Sequence, residues 1–143
     1  MFFGEYQYRI DQKGRVPLPP KFRREFREEL VLTPGVEKCI TAYPLSEWKK
    51  MAGALTSTRP VTPSKLRRLN RAIFAAAFSL KLDGQGRITL PPSLRQYAEI
   101  EDTVIVTGTN NCLELWSEKH WEMEKALAQE QVGQIIESLE MRT

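Results

Sequence analysis

A fourteen-residue stretch near the start of the chain recurs 72 positions later, and this duplication limits the fold more than any other feature. The first copy runs Ile10-Asp11-Gln12-Lys13-Gly14-Arg15-Val16-Pro17-Leu18-Pro19-Pro20-Lys21-Phe22-Arg23. The second runs Leu82-Asp83-Gly84-Gln85-Gly86-Arg87-Ile88-Thr89-Leu90-Pro91-Pro92-Ser93-Leu94-Arg95, and seven positions are identical, among them the Asp, Gly and Arg of each turn, the Leu-Pro-Pro that follows, and Arg23/Arg95. The match continues through Cys39-Ile40-Thr41-Ala42-Tyr43 and Cys112-Leu113-Glu114-Leu115-Trp116, then Trp48 and Trp121, now 73 apart. One inserted residue is therefore expected in the loop before the last strand. Each unit spans roughly 45 residues, near the lower limit for an independent core. The halves are expected to pack on each other, on other subunits, or both. The boundaries read as repeat 1 at 5–47, a helical connector at 48–76, repeat 2 at 77–120 and a C-terminal helix at 121–143.

Within each unit the local signals agree. Glu5 to Ile10 alternates polar and apolar, the period of a half-buried strand. Asp11-Gln12-Lys13-Gly14 is turn chemistry, because Asp accepts nearby backbone N–H groups and Gly takes positive φ. Arg15 to Leu18 resumes as a strand, with Pro17 favouring an edge. Pro19-Pro20 suits a helix entrance, and Phe22, Phe26 and Leu30 mark its apolar face. A strand pair follows around Pro34-Gly35. Repeat 2 gives the same order, with strands from Phe78 to Leu82 and Arg87 to Leu90. Between the units, Ser46 and Thr62-Pro63 each read as a helix start, and Ser117 as the cap of a long final helix through Trp121, Leu127, Ile135 and Leu139. The class is α+β.

Composition narrows the function. The hydrophobic fraction of 41% and charged fraction of 27% are those of an ordinary globular protein. No apolar run reaches membrane-spanning length and no signal peptide is apparent, so a cytoplasmic location without a membrane partner is expected. Cys39 and Cys112 lack metal-site spacing and read as small buried hydrophobes. The net charge of +3 conceals segregation. Residues 59–71 carry Arg59, Lys65, Arg67, Arg68 and Arg71 with no acid, whereas Glu99 to Glu140 carries ten acids against Lys119 and Lys125. A polyanion-facing surface opposite a solvent-facing one would show this pattern, as would a merely solvated basic helix. His120 is the single histidine, and no nucleophile elbow, phosphate-cradling loop, dinucleotide fingerprint or metal cluster is present. The sequence reads as a non-enzyme without a cofactor, a metal or a small-molecule substrate.

The candidate site is the pair of turns. Each presents a small turn followed at once by a long cation, and a two-stranded ribbon fits the DNA major groove, where Arg grips guanine bidentately. Lys13, Arg15 and Arg87 are the candidate DNA contacts, with Gln12 and Gln85 as adenine readers. Asp11, Gly14, Asp83 and Gly86 are better fitted to structuring the turns, the aspartates by capping or by pairing with arginine. For Arg15 and Arg87 a salt-bridged turn and a DNA contact stand level. An oligomeric interaction scaffold using the same turns on protein partners is the alternative function.

The doubled Asp-x-x-x-Arg turns, each followed by Leu-Pro-Pro, together with the opening Met1-Phe2-Phe3-Gly4-Glu5-Tyr6 and the acidic C-terminal helix, resemble the MraZ family of bacterial transcriptional regulators, within the AbrB-like swapped-hairpin superfamily. The likeness covers essentially the whole chain. It implies hairpins from both repeats interlocked into a swapped-hairpin β-barrel, and protomers assembled into a ring. It further implies double-stranded DNA as partner, a nucleoid-associated location, and repression of the division and cell-wall gene cluster through repeated promoter elements. Carried onto this sequence, the family's DNA surface falls on Lys13, Arg15 and Arg87. Gln85 stands where repeat 1 has Lys13, so unequal contributions are expected.

Overall fold

The computed structural model describes residues 1–57 and 62–139. Arg59 of the basic segment and Glu140 of the acidic tail, with the connector and C-terminal stretches around them at 58–61 and 140–143, lie outside the described residues. Repeat 1 forms β1 (Glu5–Arg9), β2 (Arg15–Pro17), a 3-10 helix (Pro20–Phe26), β3 (Leu30–Pro34) and β4 (Ile40–Pro44), and α1 (Leu45–Ser57) runs from its end into the connector. After α2 (Pro63–Ile73), repeat 2 forms β5 (Phe78–Leu80), β6 (Arg87–Thr89), α3 (Pro92–Tyr97), β7 (Thr103–Gly108) and β8 (Leu113–Trp116), and α4 (Glu118–Ser138) runs from its end through the C-terminal stretch. The molecule is α+β, and every ladder between these strands is antiparallel.

Pairing crosses between the repeats. β1 pairs with β7 and β5 with β3, so each repeat's first strand lies on the other's third. β2 pairs with β6, and β4 with β8. Repeat-equivalent residues face each other at two points, Val16 opposite Ile88 and Thr41 opposite Glu114. A pseudo-two-fold axis passes through both. The resulting sheet has the order β1-β7-β8-β4-β3-β5, which reads the same from either end once equivalents are exchanged.

Three expectations change. The ladders do not close into a barrel: among the described residues they form an open six-stranded sheet and a separate two-stranded ribbon. β2 ladders only with β6, so among the described residues no strand ladder joins the ribbon to the sheet edges. Leu30 belongs to β3 rather than to the helix face of Phe22 and Phe26; it lies opposite Pro44 and Leu80, fully buried. The change in repeat offset also falls elsewhere. Tyr8 pairs with Val104 as Leu80 pairs with Leu30, which makes Leu30 and Val104 equivalents 74 apart, so the added residues precede the third strand and one is removed in the following hairpin.

One core joins the layers. Val16 and Ile88, on the inner face of the ribbon, pack with Leu18, Leu90, Phe22, Phe26 and the inward residues of the sheet. Burying each of these side chains stabilises the fold by roughly 1.5–3 kcal/mol. Phe2 enters the same core, stacking on Phe26 and meeting Phe22 edge-on, while its backbone bridges Asn110. On the sheet's other face Cys39, Ile105 and Trp116 form a smaller cluster covered by Trp121 of α4. Both cysteines are buried free thiols, and burial pushes each above its ordinary range. Two of the three expected helix starts follow their capping chemistry: Thr62 Oγ1 accepts the Lys65 N–H at 3.3 Å, and Ser117 Oγ accepts that of His120 at 3.1 Å, whereas α1 begins at Leu45, one residue before Ser46.

Candidate nucleic-acid interface

Each turn closes in the same way. Gly14 N donates to Asp11 O at 3.0 Å and Asp11 N to Arg15 O at 3.1 Å, with Gly14 at φ +77°. The second turn repeats these bonds through Gly86, Asp83 and Arg87, with Gly86 at φ +75°. Such a three-residue loop needs a left-handed residue at its end, which glycine adopts without a Cβ clash.

The aspartates do two jobs at once. Asp11 Oδ1 accepts the Lys13 and Arg15 backbone N–H groups at 3.0 and 2.8 Å, and Oδ2 accepts Arg15 Nε at 2.6 Å. Asp83 holds Gln85, Arg87 and the Arg87 Nε identically, each at 2.9 Å. The bond from the Arg15 backbone N–H leads the causes that hold the Asp11 carboxyl below its ordinary value, and that from Arg87 does so for Asp83. Each guanidinium is thus fixed through Nε. Among the described residues neither Nη of Arg15 or Arg87 has a protein partner. The free edge is the bidentate fork that matches a phosphate or a guanine.

The ribbon brings the two forks together. The expected hairpin of β1 on β2 does not form a ladder; past the Asp11–Arg15 bond, β1 departs to β7 and β2 to β6. In the β2–β6 ladder Arg15 faces Thr89 and Arg87 faces Pro17. Opposed residues share a face and neighbours alternate. Arg15 and Arg87 therefore lie on the outward face, two ladder steps apart (about 7 Å along the strands), while Val16 and Ile88 fill the inward one. Two further bonds lock the ends: Leu90 N donates to Gly14 O at 2.9 Å and Leu18 N to Gly86 O at 3.0 Å.

Gln12, Lys13 and Gln85 are exposed in the turns, and none of their side chains has a protein partner among the described residues. The basic residues Arg67, Arg68 and Arg71 are exposed on α2. The sequence alone assigns no role to Arg23 and Arg95. Arg23 donates Nε to Leu18 O and lies so close over Gly86 that a Cβ there would overlap its Nε, Cδ and Cζ. Arg95 donates Nε to Ile100 O at 3.0 Å and places Nη1 3.7 Å from where a Gly14 Cβ would stand. Arg23 thus braces the other repeat's turn, while Arg95 lies over its counterpart at ordinary contact distance. Their identity in the two repeats was the available signal.

A sequence profile described as "MraZ protein, putative antitoxin-like" matches residues 1–70 and 73–135. The chain belongs to the MraZ family. A protein named transcriptional regulator MraZ from Dehalococcoides mccartyi strain BAV1 is 58% identical over 141 residues, 98% of this chain and 99% of that one. Its namesake from Halothermothrix orenii is 40% identical over 140 residues, covering 98% and 97% of the two chains. Another from Herpetosiphon aurantiacus is 44% identical over 122 residues, 85% of each. The MraZ relatives carry the name of a regulator rather than of a catalyst, in keeping with a sequence that lacks converging catalytic groups.

Proposed function

We propose that this chain is a sequence-specific DNA-binding transcriptional regulator whose reading surface is the outward face of the β2–β6 ribbon and its two turns. One observation carries the reading: Arg15 and Arg87, contributed by different repeats, share that face, each held by an aspartate through Nε with its outer nitrogens unpaired among the described residues. Asp11 and Asp83 orient the arginines and Gly14 and Gly86 shape the turns. Lys13 adds charge beside Arg15, and Gln12 and Gln85 supply amide groups suited to adenine. Phosphate contacts give affinity common to all DNA, and base contacts give selection.

The family resemblance supplies the finer part of the reading. The crossed pairing of the repeats supports a swapped-hairpin reading, in which protomers act as a ring that represses the division and cell-wall gene cluster from repeated promoter elements. A single two-arginine face is a small footprint. Several such faces spaced on a ring gain avidity on repeated elements through effective concentration.

Gel retardation of a fragmented genome tests the proposal. The expected result is retention of a few fragments that share a repeated element, weakening steeply with salt. Weak retardation independent of fragment identity would overturn it in favour of a protein-interaction scaffold.

A further inference from the structure

Two surfaces of the protomer are apolar and uncovered among the described residues, and they differ in shape. The first is the far half of α4. Its near half is docked: Trp121 packs on Trp116, and Trp121 Nε1 and Lys125 Nζ both donate to the Glu5 carboxylate. From Ala126 to Leu139 every residue is exposed, with Val132, Ile135, Ile136 and Leu139 at 47–66%. The matching helix after repeat 1, α1, is described to Ser57, whose counterpart is Glu130. These four apolar residues lie beyond Glu130, on the exposed far half of α4. A free helical stretch of this length is marginal in water, and tertiary packing is what stabilises an apolar helix stripe.

The second surface is a groove of about 440 Å³ between α2, α1 and the β3–β4 hairpin, lined mainly by apolar side chains including Val36, Tyr43, Met51, Leu69 and Ile73. Val36, on its rim, is 96% exposed. The charges flanking the two surfaces are opposite. α2 carries Lys65, Arg67, Arg68 and Arg71, all exposed, and no acid, whereas residues 126–139 carry Glu130 and Glu137 and no base.

We infer that the far half of α4 from one protomer lies in the α2-walled groove of the next copy, a head-to-tail joint. A ridge on one copy filling a groove on another is a heterologous contact, the kind that closes into a ring when its rotation allows. Pairing α4 with a second α4 would leave the groove open and α2's bases uncompensated. The inference rests on the ring assembly proposed above and adds the surface that builds it. It also assigns the basic face of α2 to a protein partner rather than to DNA.

The test is the solution mass of the full chain and two variants. Ile135→Asp damages the ridge; Val36→Glu with Ala72→Glu damages the groove. All three positions are exposed in the protomer, so circular dichroism should report native folds. The wild type is expected to assemble, and each variant alone to be monomeric. An equimolar mixture of the two variants retains one intact ridge and one intact groove, and is expected to give a 1:1 dimer and nothing larger. An assembled wild type with either variant unchanged in mass, a groove variant that dimerises alone through α4, or a mixture that stays monomeric would overturn the joint while leaving the ring reading in place. A monomeric wild type would remove both.

Discussion

At the residue scale the two turn glycines look alike and differ in surroundings. Both hold positive φ, so a side chain at either costs about 1–2 kcal/mol from the left-handed backbone. Gly14 has room, with its nearest neighbour 3.7 Å from a built Cβ, whereas at Gly86 the Arg23 side chain would have to move. Urea unfolding should therefore show a larger loss for Gly86→Ala than for Gly14→Ala; equal losses would contradict the cross-repeat brace. Glu114 offers a second case. It sits opposite Thr41 on the pseudo-two-fold axis, and burial raises its carboxyl above the ordinary value while the Trp116 Nε1–H bond pulls the other way. A carboxyl raised by folding penalises the native state once ionised, and that penalty fades as pH falls through the raised value. Glu114→Gln keeps an acceptor for Trp116 and removes the charge. Its melting temperature should exceed the wild type's at pH 7, with the gap closing toward pH 4. Asp11 and Asp83 have the opposite sign: their lowered values stabilise the turns above the usual carboxylate range, and this support is lost on acidification through the depressed values.

At the scale of elements, the β2–β6 ribbon has three residues a side and survives only because its inner face is core. Ile88→Ala should cost about 3 kcal/mol by chemical denaturation, within the span for buried Ile→Ala. A loss below about 1 kcal/mol would mean that the ribbon is not part of the core. The ribbon also marks where sequence reading stopped. Local chemistry was legible: the Asp-x-x-Gly-Arg turns, the Pro-Pro helix entrances, and the caps Thr62 and Ser117 all act within a few residues of themselves. Partner choice was not. A short strand such as Arg15-Val16-Pro17 carries no local signal for whether it pairs with its own hairpin arm or with the other repeat, since the Val16/Ile88 contact spans 72 residues. Leu30 shows the same blindness. Its spacing from Phe22 and Phe26 suits a helix, but two partner strands claim it for β3. Arg23 and Arg95 stood out as repeated residues, and their role could not be read because each acts on a turn that only the crossed pairing brings near.

At the scale of the molecule, crossing leaves neither repeat complete. β1, β2 and β3 all take strand partners from repeat 2. Residues 1–57 expressed alone should lack a cooperative thermal transition, and the full chain should show a single one; a cooperative fold in the fragment would contradict the shared core. The same crossing puts Arg15 and Arg87, from two repeats, on one face, the face proposed to read DNA. Fluorescence anisotropy on a retained genomic fragment is the most direct measurement of that claim, with assembly mass and circular dichroism as controls. Arg15→Ala and Arg87→Ala should each weaken binding about tenfold or more, equivalent to about 1.4 kcal/mol. The double variant should lose fragment preference altogether at unchanged mass and fold. A double variant that binds the fragment with wild-type affinity would contradict the account.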